Sequence, residues 1–124
     1  AEVVHLFVRR EMWGYESCSE QPDPKAIIAG KYQGLRMAFG YPATPDHSLK
    51  REAFDLLNAQ LMTEMRLTEN FMIAPGEALC GMMVADEAAR YFAVGAIDEE
   101  QLKDYAKRRK LTKEQMRKIL PKNI

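Results

Sequence analysis

The spacing of apolar positions changes along the chain, and each change marks an element. From Ala1 to Met12 the residues Val4, Leu6, Phe7 and Val8 are interleaved with polar ones ahead of Trp13-Gly14-Tyr15, which predicts one helix stopped by glycine. Glu16 to Pro24 is polar. Asp23-Pro24 then offers an N-cap followed by proline at the first helical position, so a short helix to Ala29, closed by Gly30, is expected. Gly34 to Pro42 lacks helical periodicity and reads as irregular or extended. Thr44-Pro45-Asp46 repeats the cap-then-proline signal, and the helix it opens carries Leu49, Ala53, Leu57 and Leu61 as one apolar stripe.

Beyond Leu67 the period becomes alternating, with Leu67, Glu69, Phe71 and Ile73 on one side of a strand. Pro75-Gly76 has the composition of a type II turn. Ala78 to Val84 and Tyr91 to Ile97 complete an antiparallel meander. The last quarter repeats one device: Asp98 with Gln101, then Thr112 with Gln115, are capping boxes flanked by apolar residues. Two short terminal helices follow, the second ending before Pro121. The pattern predicts an α+β fold, an antiparallel meander flanked by helices with two short helices at the C-terminus.

With 124 residues, 47% of them hydrophobic, residues 1–124 are expected to form a single unit or a piece of one. Eighteen basic residues balance eighteen acidic ones, so nucleic acid and membrane are poor candidates for partners. Lys107 to Lys110 is the one local basic run that bears on a helix-turn-helix reading, and the charge balance weakens it. Cys18 and Cys80 have no second Cys or His at metal-ligand spacing, which points to a reducing, cytoplasmic setting with no metal. No apolar run reaches the roughly 20 residues that span a bilayer. A first residue of Ala1 rather than Met suggests upstream sequence.

Candidate chemistry concentrates in Arg36-Met37-Ala38-Phe39-Gly40-Tyr41-Pro42. A fixed guanidinium grips a carboxylate in bidentate fashion, glycine lets backbone approach a ligand, and a Tyr face attracts a desolvated cation such as a sulfonium. On these residues alone the plainer reading is preferred: an arginine paired with a surface acid beside a structural Gly-Tyr-Pro turn.

The surrounding words alter that balance. Trp13-Gly14-Tyr15, Lys31-Tyr32-Gln33-Gly34-Leu35-Arg36, Gly40-Tyr41-Pro42-Ala43, Pro45-Asp46-His47, Leu67-Thr68-Glu69, Tyr91-Phe92-Ala93-Val94 and Asp104-Tyr105-Ala106 follow in the order in which the activation domain of cobalamin-dependent methionine synthase has them. The chain resembles the C-terminal portion of that domain from Ala1 to about Pro121. The resemblance implies a curved antiparallel sheet, binding of S-adenosylmethionine, and docking on a corrinoid-binding domain to support reductive methylation of cob(II)alamin. Cobalamin would be held by that partner domain, a flavodoxin-like reductant would supply the electron, and the chain would be part of a methyltransferase without being catalytic alone. By motif, Arg36 would hold the ligand's carboxylate, Ala38 and Gly40 would give backbone groups, and Tyr41 and Tyr91 would flank the ligand.

Departures from the family pattern are Met37 and Phe39 where it has proline, Thr44 where it has cysteine, and Ala78 to Gly81 where it has a small, Ser-containing segment. Phe39 would add apolar surface to the site or partly block it. Met37 and Phe39 favour the competing reading, a non-catalytic interaction module that docks a corrinoid protein without binding the methyl donor, while Arg36, Gly40, Tyr41 and Tyr91 argue against it. His47 reads first as a surface or cap residue, with corrinoid contact as the alternative. Glu69 is left open between a strand-edge acid and a site residue. His5 lies on a helix without a motif, and Met62, Met65, Met72, Met82 and Met83 read as adaptable core packing.

Overall fold

A computed structural model describes all of residues 1–124. In chain order the elements are α1 (Glu2–Phe7) running into a π-helical turn (Val8–Met12), α2 (Pro24–Ile28), β1 (Leu35–Ala38), α3 (Leu49–Leu57), α4 (Ala59–Met62), β2 (Arg66–Leu67), β3 (Ile73–Ala74), β4 (Gly81–Val84), α5 (Glu99–Arg108) and α6 (Lys113–Ile119). They fall into two units, Ala1–Met37 with Met82–Tyr91, and Ala38–Gly81 with Phe92–Ile124. No helix is long and apolar enough to cross a membrane.

In the first unit the expected N-terminal helix forms and ends at Gly14, whose φ of 68° suits glycine. Its sidedness is the reverse of an ordinary amphipathic helix. His5 and Arg9, four residues apart, are fully buried, whereas Val3, Val4, Phe7 and Met12 face outward, Val3 with 81% of its surface exposed. The Asp23-Pro24 start is as expected, the Asp23 carboxylate accepting from the Lys25 amide at 2.9 Å. Gly34 is buried with φ 82°, and a Cβ there would lie 2.7 Å from the Trp13 ring, so only glycine lets the chain pass beneath the indole on its way into β1.

The second unit corrects several expectations. Pro45 does not open α3; the helix begins at Leu49, because the Asp46 side chain instead accepts the Ser48 amide and hydroxyl in a turn one residue pair further on. Its buried residues are Lys50 and Phe54 with Ala59 on α4, while Leu57 and Leu61 are exposed. The strand expected through Leu67 to Ile73 is two short strands, pairing antiparallel with Arg66 opposite Ala74 and Leu67 opposite Ile73. The Thr68 hydroxyl takes the Met72 amide at 3.0 Å and Phe71 adopts φ 59°, which closes a reversal around Glu69-Asn70 instead of extending the strand. Gly76 lacks the positive φ of a type II turn, and Glu77 carries it, at φ 66°.

The strand order also differs from a meander. β4 pairs with β1, and β2 pairs only with β3, so the α+β class stands while the sheet is two separate two-stranded ribbons. Tyr91 to Ile97 contains no strand: Val94 donates to the Pro42 carbonyl and Ile97 to that of Asn123. Ala93, Gly95 and Ala96 bring little side chain to a sheet face, which leaves that stretch without the packing that would fix it as a strand. Both C-terminal capping boxes form as expected, on Asp98 with Gln101 and Thr112 with Gln115. Leu102, Ala106, Met116 and Leu120 make the buried cluster between the two helices, with Ile97 and Leu111 against it as staples. Met116 is the buried methionine; Met62, Met72 and Met82 are exposed, not core.

Candidate functional site

In the first unit a cleft of about 730 Å³ takes its lining from α1, α2, β1 and the segment after β4, including Glu2, Tyr32, Arg36, Arg90 and Tyr91. Arg36 sits on β1 and pairs with Glu2, so the acid partner of the plainer reading exists, 34 residues away in sequence. The pair uses one arm of the fork. Arg36 Nε is buried and meets no acceptor in the protein. A donor of this kind costs free energy until an acceptor reaches it, and a bound carboxylate satisfies that requirement. Tyr91 is 51% exposed on the same cleft, where it can offer a ring face.

Beneath Tyr32 lies a polar layer that sequence reasoning missed. The Arg9 guanidinium stands 4.2 Å from the Tyr32 ring centre, donates to Glu16 at 2.7 Å, and meets His5 Nδ1 at 2.9 Å. Arginine only donates, so His5 Nδ1 accepts and the ring proton sits on Nε2, which has no partner. Burial, reinforced by the Arg9 and Arg36 charges, lowers the proton affinity of His5 and keeps it neutral. The ring also meets Trp13 and Tyr32 edge-on. The four-residue spacing of His5 and Arg9 on a helix was the available signal for this layer.

Ala38, Gly40 and Tyr41 belong to the second unit. The Ala38 carbonyl accepts the Thr44 hydroxyl at 2.8 Å, Gly40 donates its amide to the Thr44 carbonyl at 2.7 Å, and the Tyr41 and Thr44 backbones form a bridge. Thr44 thus ties the turn with its side chain. Two of the backbone groups that the motif assigns to a ligand are engaged inside this turn. Gly40 has φ 89° and the His47 ring lies where its Cβ would be, so glycine is required there by a close approach within the protein. Phe39 is a core residue at 5% exposure.

His47 has a role that its sequence position does not show. Lys50, buried without a carboxylate partner, donates to His47 Nδ1 at 2.8 Å and to the Phe71 carbonyl at 3.1 Å. Burial lowers the pKa of both groups, and for His47 the Lys50 charge adds to it. Glu69 is exposed beyond β2. Arg109, from the basic run considered for nucleic acid, is paired with Glu52 and Asp46, and Arg108 with Asp104. No group of three or more His, Cys, Asp or Glu side chains is arranged to hold a metal ion.

Residues 1–110 match the family described as vitamin B12 dependent methionine synthase, activation domain. A crystal structure of the MetH reactivation domain bound to AdoHcy is similar at 35% identity with a TM-score of 0.89; the match covers 99% of this chain and 38% of that one. The chain therefore spans well under half the length of that relative, and shares its α+β fold.

Proposed function

Because this chain belongs to the family of vitamin B12 dependent methionine synthase activation domains, we propose that it binds S-adenosylmethionine and docks on a corrinoid-binding domain to support reductive methylation of cob(II)alamin. The relative's domain is bound to AdoHcy, the thioether that S-adenosylmethionine becomes on losing its methyl group, and this supports a ligand of that class. The observation that carries the reading here is the unpartnered Nε of Arg36 on a cleft it shares with Tyr91.

In this reading Arg36 takes the α-carboxylate of the methionine moiety, and Glu2, whose Oε1 pairs with Arg36 and whose Oε2 has no partner, holds the α-ammonium group through Oε2. The Tyr91 ring faces the sulfonium, an attraction of roughly 0.5–2 kcal/mol. No side chain needs to act as base or nucleophile, since position and electrostatics are what the chain contributes. Cobalamin held by the partner domain would supply the nucleophile for the methyl group, with a flavodoxin-like reductant as the electron source.

Calorimetric titration with S-adenosylmethionine tests the assignment. A charge-assisted contact is worth about 1.5–3 kcal/mol, so Arg36→Ala is expected to weaken binding by about tenfold to somewhat over a hundredfold. Arg36→Lys should recover only part of this, because lysine lacks the planar fork. Unchanged affinity in Arg36→Ala would move the site elsewhere. The second reading, a docking module that does not bind the methyl donor, draws on the Glu2 pairing, which already engages the guanidinium; an absence of any binding heat with the parent chain would favour it.

A further inference from the structure

The second unit holds a recess of about 630 Å³ whose polar lining includes Tyr41, His47, Asn70, Lys118 and Lys122 and contains no Asp or Glu. The nearest acid in sequence, Asp46, is already used: one carboxylate oxygen takes the Ser48 amide and hydroxyl, and the other takes the Tyr105 hydroxyl at 2.7 Å. Behind His47 stands the Lys50 ammonium, buried and without a counter-charge, and Lys122 is near enough for its charge to act on the imidazole. Because Lys50 donates to Nδ1, the neutral His47 ring carries its proton on Nε2. The ring is half-buried and lines the recess.

We propose that this recess is an oxyanion site of the phosphate class, with His47 Nε2–H, the Tyr41 hydroxyl and the ammonium groups of Lys118 and Lys122 as donors. Among an otherwise largely apolar lining that includes Phe71 and Leu120, its charged groups are all cations, and the one imidazole in it is fixed as a donor by a buried lysine rather than left free to choose its tautomer. Phosphate offers several acceptor oxygens and up to two negative charges to such a wall. A simple carboxylate offers fewer of both. The inference does not rest on the S-adenosylmethionine reading: the family motif gives Tyr41 to that ligand but assigns none of His47, Lys118 or Lys122.

The test is a titration of the 124-residue chain with inorganic phosphate at constant ionic strength, followed by the His47 ring resonances in NMR spectra, with acetate as the comparison. Saturable shifts of the His47 signals are expected, and bound phosphate should raise the His47 pKa by offsetting the positive charge around it, from Lys50 and Lys122, that Asp46 only partly balances. Lys118 and Lys122 are exposed, so the double replacement Lys118→Ala/Lys122→Ala should fold normally, as a matching circular dichroism melt would verify, while weakening phosphate at least about tenfold. Arg36→Ala should leave phosphate binding intact. The proposal is overturned if phosphate produces no saturable shift at His47, if acetate binds as tightly, if the lysine replacements change nothing, or if Arg36→Ala abolishes the effect, since the anion would then sit in the other cleft.

Discussion

Replacing Asp46 removes the most heavily used buried acid in the second unit. Its side chain is 2% exposed and accepts the Ser48 amide at 2.7 Å, the Ser48 hydroxyl at 2.5 Å and the Tyr105 hydroxyl at 2.7 Å, with Arg109 Nε 3.5 Å away. In Asp46→Ala these donors lose their acceptor in a place water does not easily reach, and the partly buried Arg109 keeps Glu52 as its one ion-pair partner, with the Ser48 hydroxyl as a neutral acceptor. Stranded donors and a broken buried ion pair cost about 3–5 kcal/mol. Tyr105→Phe removes one bond and leaves the carboxylate its other partners, for a loss of about 1–2 kcal/mol. A double-mutant cycle by urea denaturation should therefore give an Asp46–Tyr105 coupling of about 1.5–3 kcal/mol, the range for a bond to a charged group. Burial first, then the Asp46 carboxylate, pushes the Tyr105 phenol well above its ordinary range. The unfolded chain loses this proton near pH 10 while the folded chain keeps it, so the bond's contribution is complete below pH 10 and declines as pH rises beyond it. A cost below about 1 kcal/mol for Asp46→Ala, or a coupling near zero, would refute this account of how the turn before α3 is held to α5.

Thr112→Ala removes one half of a capping box and should cost about 1 kcal/mol while leaving S-adenosylmethionine affinity unchanged; a large affinity loss at constant melting temperature would put the site near α6. His5 and His47 both hold their protons less tightly than the ordinary value of 6.5, chiefly through burial, so the unfolded chain binds more protons as the solution is acidified. Stability should be complete above pH 6.5 and fall as pH drops below it, and a melting temperature flat from pH 7.5 to 5.5 would contradict the buried, neutral assignment of these rings. Tyr91→Ala should weaken S-adenosylmethionine more than AdoHcy, because only the former carries a sulfonium for the ring to attract; equal losses in paired titrations would remove Tyr91 from the methyl-donor end.

What could be read from the residues follows how local each interaction is. The caps at Asp23, Asp98 and Thr112 are contained within a few residues, and each formed where its side chain spacing placed it. Strand partners are chosen over long separations, and alternation between Leu67 and Ile73 carried no signal that Thr68 would turn the chain back or that β4 would choose β1. The sidedness of α1 was hidden because the first unit buries arginine and histidine, satisfied by Glu16 and Tyr32, where the apolar pattern called for valine and phenylalanine. Arg36 and Tyr91 were visible as parts of recognisable words, and they line one cleft. The partner of Arg36 and the lysine behind His47 were not visible, since Glu2 lies 34 residues from Arg36 and Lys50 falls outside the apolar stripe of Leu49, Ala53, Leu57 and Leu61.

Whether the methyl donor lies in the cleft of Arg36 and Tyr91 is read directly by NMR with S-adenosylmethionine labelled with carbon-13 at its methyl group. The account predicts nuclear Overhauser contacts from that methyl group to the Tyr91 ring, together with saturable shifts at the Arg36 guanidinium that disappear in Arg36→Ala. Contacts to other residues alone, or no shift at Arg36 under saturating ligand, would contradict it.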